Sequence, residues 1–541
     1  MPLGILEDNK LEHVPGTAPL NELGQTDITY SGIDPALLKH DPTGQIVLVP
    51  QPSDSPRDPY NWPRKKKELF TITYAVACGC VGAVGPLLTA ALVPLSEEFG
   101  VPLSTFTSGI QGGTLVAIAV GSLIFNCLAV KYGKRPIYLA TTVGLMVSCF
   151  WSAGSKNFPS LVASRVLAGL CMAPLEALVP ASIADIWFVH ERGIRNAIFN
   201  FGVLGGINLA SPIAGAIIEY GSFRIALNSM GGAFAIVLIM VFFWMPESAY
   251  ARQSSFDIDV GKDIDEKKSE YLKSADTGST ERSQSPQQTN EKPNSWAKEL
   301  LPYSGYVNNV SVWNTLIRPF YLLLSPPVLW AVLLYTTCFS WLVGVTLTLS
   351  QIFSAPPYSF SVGAVGATNM SSFVASIIGT IAAGPLVDGV VKGMSKMNGG
   401  IFEPEFRLPI MVSYLIFTAI GFFAWGQSLH AQDPWPVPVI VCLGLINLGI
   451  QLGTTGVVTY VVDCHRDKSG EAFATMNFIK NLFSFGLSFY LNEWVANQGV
   501  RDCFFTIGGL TVAATLFTIP MYIYGKRARS WVHRHRIADR L

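Results

Sequence analysis

The 541-residue sequence is short of charge. Only 14% of its residues are Asp, Glu, Lys or Arg, against about 25% in a soluble domain, and the mean hydropathy is +0.38. This shortage excludes an ordinary soluble fold and indicates a membrane protein. Lys plus Arg and Asp plus Glu balance at 37 each, so no charge excess invites a nucleic acid partner. The nine cysteines form no CxxC pair, and all but Cys464 lie in or beside apolar runs. They read as buried thiols. Seven histidines show no HExxH or histidine-box spacing, and no GxxxxGKS/T loop is present. A zinc hydrolase and an ATP-driven motor are thereby excluded, and no cofactor or metal is expected. The opening "MPLGILEDNKLEHVPG" has neither a basic n-region nor an apolar h-region, so it is not expected to be a signal peptide.

What the sequence has is apolar runs, each near the ~20 residues that span a bilayer. Six lie at 68–94, 107–130, 136–155, 159–187, 196–220 and 222–245, and six more at 326–352, 361–385, 408–427, 434–462, 471–496 and 502–525. The expected fold is all-α: twelve transmembrane helices in two six-helix halves, 68–245 and 326–525. Residues 1–67 read as a largely disordered tail ending in a basic and aromatic collar, with Trp62 at the lipid interface and Arg64 to Lys67 in water. Residues 246–325 read as a linker, disordered where it is rich in Ser, Gln and charge, then following the membrane surface. Residues 526–541 form a basic tail.

Loop charges set the orientation. With the N-terminus inside, the inner loops hold ten basic residues: Lys131, Lys134, Arg135, Arg192, Arg195, Lys392, Lys396, Arg407, Arg466 and Lys468. The outer side holds three, Lys156, Arg224 and Arg501. The bias predicts that both termini are cytosolic, and that the sequon at Asn309 stays unglycosylated.

The stretch "KYGKRPIYLA" at 131–140 places Gly133, Lys134 and Arg135 between spans two and three. It resembles the loop signature GxLxDxxGRK of the major facilitator superfamily, although Asn126 and Val130 stand where glycine and aspartate would be. The matching "GPLVDGVVKG" of the second half keeps Gly384, Leu386 and Asp388. "RVLAG" (165–169) resembles the family's fourth-span motif and "PESAY" (246–250) its ending of span six. "DIWFVHERGIRNA" and "NGGIFEPEFRLP" resemble the fungal drug:proton antiporter-like branch, which includes carriers of polyamines and other organic cations. The resemblance covers roughly residues 58–525. It implies a gating role for Gly133, Lys134, Arg135, Asp388, Asp185 and Arg192. The branch's GPxxGG-like motif in span five is altered: "SPIAGA" keeps Pro212 and Gly215 but has Ser211 and Ala216 in place of glycines.

Span four carries the chemistry. At 100° per residue, Arg165, Gly169, Glu176 and Pro180 share one face. Arg165 and Glu176 lie about 16 Å apart along the axis, too far for a direct bridge. Each therefore needs a partner on another helix or a water-filled cavity. A charge at mid-bilayer costs about 3 kcal/mol on insertion scales, and low dielectric favours the neutral form of a carboxyl group. Glu176 is thus placed to exchange a proton or to attract a cation. Asp185 points the other way, at the cytosolic end, where it is expected to anchor the loop of His190, Glu191 and Arg192. Polar stripes on span eleven (Asn477, Asn481, with Lys480 beside them) and span ten (Asn447, Gln451) suit either interhelical bonding or an aqueous path. Tyr335, Phe339 and Trp341 of span seven suit an organic cation or plain packing.

These residues predict a monomeric secondary transporter in the plasma or vacuolar membrane. As the resemblance implies, it would carry small molecules, drugs, polyamines or other organic cations, coupled to protons. Two alternatives stay open: carriage of neutral or anionic solutes, with Arg165 or Lys480 meeting the anion, and a non-transporting receptor. A membrane-embedded enzyme would need a His, Asp or Cys cluster at one face, and the sequence holds none.

Overall fold

A computed structural model of the chain describes residues 2–11, 14, 16–19, 52–53, 55–250, 296–303, 305, 312–399, 401–465 and 469–535. Asn309 lies outside them. The first half holds spans one to six: Arg64–Glu98, Leu103–Tyr132, Arg135–Gly154, Phe158–Ile186, Val189–Tyr220 and Phe223–Trp244. The second holds spans seven to twelve: Pro326–Ser354, Val362–Met397, Pro404–His430, Val437–Cys464, Ser469–Gln498 and Val500–Arg534. Eleven of the twelve combine the length and apolar composition needed to cross a membrane. Ser469–Gln498 is long enough, but Asn477, Lys480, Asn481, Asn492 and Glu493 dilute its apolar character.

Local chemistry sets the boundaries. Proline occupies the first turn of spans three, four and seven, where its missing N–H costs no helical bond. Asn157 caps span four by accepting from Ser160 N at 3.0 Å. Span one breaks at Gly85, between Arg64–Val84 and the 3-10 turn Pro86–Ala91. Span four carries Pro174 and breaks at Leu178. Both breaks free backbone carbonyls inside the bundle, which other groups must satisfy.

Each half has its own apolar core, one around Phe70, Tyr74, Leu145 and Phe234, the other around Tyr414, Trp425, Tyr460 and Phe504. Ile236, Ile239, Ile381 and Val412 stay more than half exposed on the outside. In water such a surface would drive aggregation, whereas acyl chains cover it without penalty.

The halves are tied most firmly at the end of the bundle remote from the termini. There Glu219 of span five accepts from Gly363 N at 2.7 Å and Ser361 Oγ at 3.0 Å. Asn492 Nδ2 donates to Thr107 Oγ1 at 3.1 Å. Backbone meets backbone where Gly215 packs on Val362 and Gly366. Nearer mid-membrane, Asn208 Nδ2 donates to Ser376 Oγ at 2.9 Å.

The end bearing the termini corrects three expectations. Trp62 is buried in the core of the first half, with Lys66 Nζ 4.2 Å above its ring, because the turn Pro59–Asn61, capped by Asp58, folds the collar back. The start of the tail is docked. Ile5 is fully buried in the second half's core, Leu6 N donates to Ile523 O at 3.0 Å, and Ala18–Pro19 pairs as a short antiparallel strand with Ile401–Phe402. The basic tail continues span twelve as a helix to Arg534. Of the linker, the helix Val312–Leu322 packs on spans two and eleven, and Thr475 Oγ1 donates to Pro319 O at 2.7 Å.

Candidate functional site

Glu176 and Lys480 meet at mid-membrane across the two halves, Oε2 to Nζ at 3.8 Å. Pro174, two residues before Glu176, removes one N–H from the helical ladder, the helix breaks at Leu178, two residues after it, and Cys78 of span one donates its thiol to Leu175 O at 3.4 Å. From span seven, Phe339 and Tyr335 set their rings 4.8 and 5.9 Å from the Lys480 ammonium. Both charged side chains keep some accessible surface, 18% for Glu176 and 11% for Lys480. The result is a carboxylate, an ammonium and two ring faces, largely desolvated, at the seam between the halves.

The other expected site residues make contacts of their own. Trp341 packs edge-on against Phe483, ring centres 6.0 Å apart. Asn447 Nδ2 donates to Ser372 Oγ at 2.9 Å and Gln451 Nε2 to Thr380 Oγ1 at 3.0 Å, so the stripe of span ten bonds to span eight. Asn477 Nδ2 donates within its own helix to Phe473 O at 3.2 Å, and the buried Asn481 Nδ2 has no hydrogen-bond partner among the described residues. Arg165 is 1% exposed and donates through Nη2 to Val84 O at 2.6 Å and Gly85 O at 3.3 Å. It thereby fills the carbonyls freed by the break in span one, with Gln111 Nε2 on Gly85 O at 2.8 Å.

At the end bearing the termini, Glu247 caps span three. Its carboxylate accepts Lys134 N and Arg135 N, each at 3.0 Å, and lies where a Cβ on Gly133 would stand. Arg135 is 2% exposed and spreads its guanidinium over carbonyls of Phe242, Met245, Leu300 and Leu301. Lys134 Nζ pairs with Asp185 at 2.6 Å. Asp185 therefore holds the loop between spans two and three, rather than only the one after span four, because its helix end faces the start of span three. The side chain of Arg192 lies outside the described residues.

The second half repeats this scheme, but not at Asp388. That residue lies on an exposed face inside span eight, because helix continues to Met397 where a loop was expected. The counterpart is the segment after it. Arg407 pairs with Asp463 at the end of span ten, as Lys134 does with Asp185. The buried Arg529 of span twelve holds Glu403 and Glu405, each at 2.8 Å. Thr17 of the docked tail donates to Glu403 at 2.7 Å, and Lys526 pairs with Glu7 at 2.8 Å. Ser530 bonds Asp8. Partial burial opposes ionisation of Asp8, but the bonds from Ser530 and Leu11 N and the charge of Arg534 hold its carboxyl below the ordinary value.

Sequence reasoning missed the roles of Glu247, Arg529, Glu405 and Glu219. Glu247 and Glu405 stood inside quoted motifs, so a signal existed; Glu219 and Arg529 have partners remote in sequence.

A groove of about 600 Å³ opens between spans eight and ten, lined by Met370, Val374, Ile378, Trp435 and Ile440. It faces outward, where its lining is exposed, and suits acyl chains; it contributes nothing to the polar centre.

Two pseudo-equivalent six-helix halves, matched charged locks at one end and a polar centre at their seam define a membrane transporter. The sequence pattern of the Major Facilitator Superfamily matches residues 70–488. The chain belongs to that superfamily, a group of transporters and not of enzymes. It is 26% identical to an uncharacterized MFS-type transporter of Schizosaccharomyces pombe, over 97% of this chain and 94% of the relative. It is equally 26% identical to Protein HOL1 of Saccharomyces cerevisiae, over 97% and 96%. The efflux pump vrtL of Penicillium aethiopicum is 23% identical over 90% of each chain. The solved D-xylose–proton symporter superposes with a TM-score of 0.60 at 15% identity, covering 85% of this chain and 99% of its own. At that identity the likeness shows the fold alone.

Proposed function

We propose that the chain carries organic cations, drugs or polyamines by alternating access and exchanges them for protons at Glu176, as in the drug:proton antiporter-like branch. The carrying observation is the largely buried carboxylate at mid-membrane, paired at the seam of the halves with an ammonium that two ring faces flank. Protonating the carboxyl removes its attraction for a cation, so proton and cation compete for one group. With both termini in the cytosol of a plasma membrane protein, the firm contacts lie on the outer side and this state faces inward.

The test is uptake of labelled spermidine, with a lipophilic drug cation in parallel, into liposomes under an imposed pH gradient. Wild type should show gradient-driven uptake, and Glu176→Gln should lose it. Glu176→Gln leaves Lys480 without its counter-charge, so Glu176→Gln/Lys480→Met serves as a folding-matched control. Uptake in Glu176→Gln with unchanged pH dependence would exclude this role for Glu176.

Lys480 favours a second reading, carriage of an anionic solute that meets its ammonium. Competition separates the two: anions, and not cations, would then block uptake.

A further inference from the structure

We infer that Lys480 is a tethered counter-cation: its ammonium fills the cation place beside Glu176, and a carried cation must displace it. The inference rests on the reading of Glu176 as the cation and proton site, and it adds what holds that site between turnovers.

The pair is looser than the other lysine–carboxylate pairs among the described residues. Four lysine–carboxylate contacts close to hydrogen-bonding distance: Lys134–Asp185 at 2.6 Å, Lys66–Glu299 and Lys526–Glu403 at 2.7 Å, and Lys526–Glu7 at 2.8 Å. Lys480–Glu176 stops at 3.8 Å, and among the described residues the Lys480 ammonium makes no hydrogen bond. Its remaining neighbours are the rings of Phe339 and Tyr335, which attract any alkylammonium through their faces. Glu176 keeps 18% of its side-chain surface accessible and Lys480 11%, so the carboxylate is the more open member of a largely buried contact. Charge alone holds Lys480, and charge is what a competitor can supply.

The occupant describes the ligand. Lys480 presents an unbranched alkyl chain ending in a primary ammonium, so the cage suits a solute of that chemistry. An anion would find the ammonium already neutralised and a carboxylate beside it. Displacement also unties span four from span eleven, because the pair bridges the halves. Cation binding then releases a mid-membrane tie, and protonation of Glu176 releases the same tie by another route.

A tethered competitor lowers apparent affinity by the fraction of sites it leaves open. A plug in place nine-tenths of the time weakens binding about tenfold. The probe is n-butylammonium, which copies the end of the lysine side chain. It is titrated calorimetrically into full-length protein in detergent. Lys480→Ala should bind it about tenfold more tightly than wild type, and Glu176→Gln/Lys480→Ala should not bind it. Should Lys480→Ala fail to fold, Lys480→Met removes the charge while keeping most of the stem. Equal or weaker binding by the folded Lys480 variant, or binding that survives in the double variant, overturns the inference. The two readings fail separately. Gradient-driven uptake lost in Glu176→Gln, with no gain in Lys480→Ala, removes the plug alone. Tighter binding by Lys480→Ala, with no cation uptake by wild type, removes the transport reading alone.

Discussion

Glu219 and Gly363 belong to opposite halves, and the carboxylate of the first accepts the backbone N–H of the second at 2.7 Å. Ser361 Oγ adds a second bond at 3.0 Å. The acid thus caps the start of span eight from across the seam, where a helix N-terminus favours negative charge. Charge-assisted bonds of this kind contribute about 1.5–3 kcal/mol. Glu219→Ala should therefore shift the population by roughly tenfold or more towards states open at the end remote from the termini. Spin-label distances between the ends of spans five and eight check this. An unchanged distance distribution would show that the glycine seam alone holds the closed state.

Gly133 adopts φ +89°, and a Cβ there would lie 2.3 Å from Glu247 Oε2. Gly133→Ala combines backbone strain of about 1–3 kcal/mol with eviction of the capping carboxylate. The variant should unfold at lower temperature in detergent. Gly232, which has open space around its missing Cβ, supplies the control: Gly232→Ala should unfold with wild type.

Arg529 is buried with Glu403 and Glu405, and removal of one partner leaves carboxylates stranded. Such losses cost about 3–5 kcal/mol. Arg529→Met should lower the unfolding midpoint more than deletion of residues 2–19, which removes Thr17 and Asp8 but leaves the buried pairs. Asp8 adds a pH signature. Its carboxyl is held below the ordinary value of 3.8 in the folded protein. Its contribution is therefore complete above that value and disappears as pH falls through the lowered one. Protection of residues 2–11 from protease should persist at pH 5 and fade only in stronger acid.

Arg165→Met removes the donors that satisfy Val84 O, and a stranded buried carbonyl costs about 1–3 kcal/mol. The variant should be less stable while the pH dependence of transport matches wild type. A shifted pH profile would assign Arg165 to coupling instead of to bracing.

The twelve helices were legible because each announces itself as an apolar run of bilayer length, and loop charge patterned the rest. Glu176 was legible for the opposite reason, as a carboxylate where hydrocarbon was due. Lys480 was noticed as a residue beside a polar stripe and as a possible partner for an anion, but not as the partner of Glu176. Its meaning depends on a partner some 300 residues away, and no periodicity within one helix reports on another. The same limit hid Arg529. Glu403 and Glu405 read as loop acids, the arginine as part of a basic tail, and only the fold joins them. For Tyr335, Phe339 and Trp341 the sequence left a cation cage and plain packing both open. A residue six positions on is rotated by about 240° from the first, and it is Phe339, four positions on, that shares with Tyr335 the face toward Lys480.

At the closed end spans five and eight touch through Ser211, Gly215 and Gly366 with almost nothing but main chain between them. Interlocked side chains would have to withdraw and change rotamer before such a seam could part. Two smooth surfaces can slide or lift off as plates do, held by the few polar latches at their rim. Friction at this joint is then a matter of backbone shape, and any side chain larger than a hydroxymethyl group would act there as grit in a bearing.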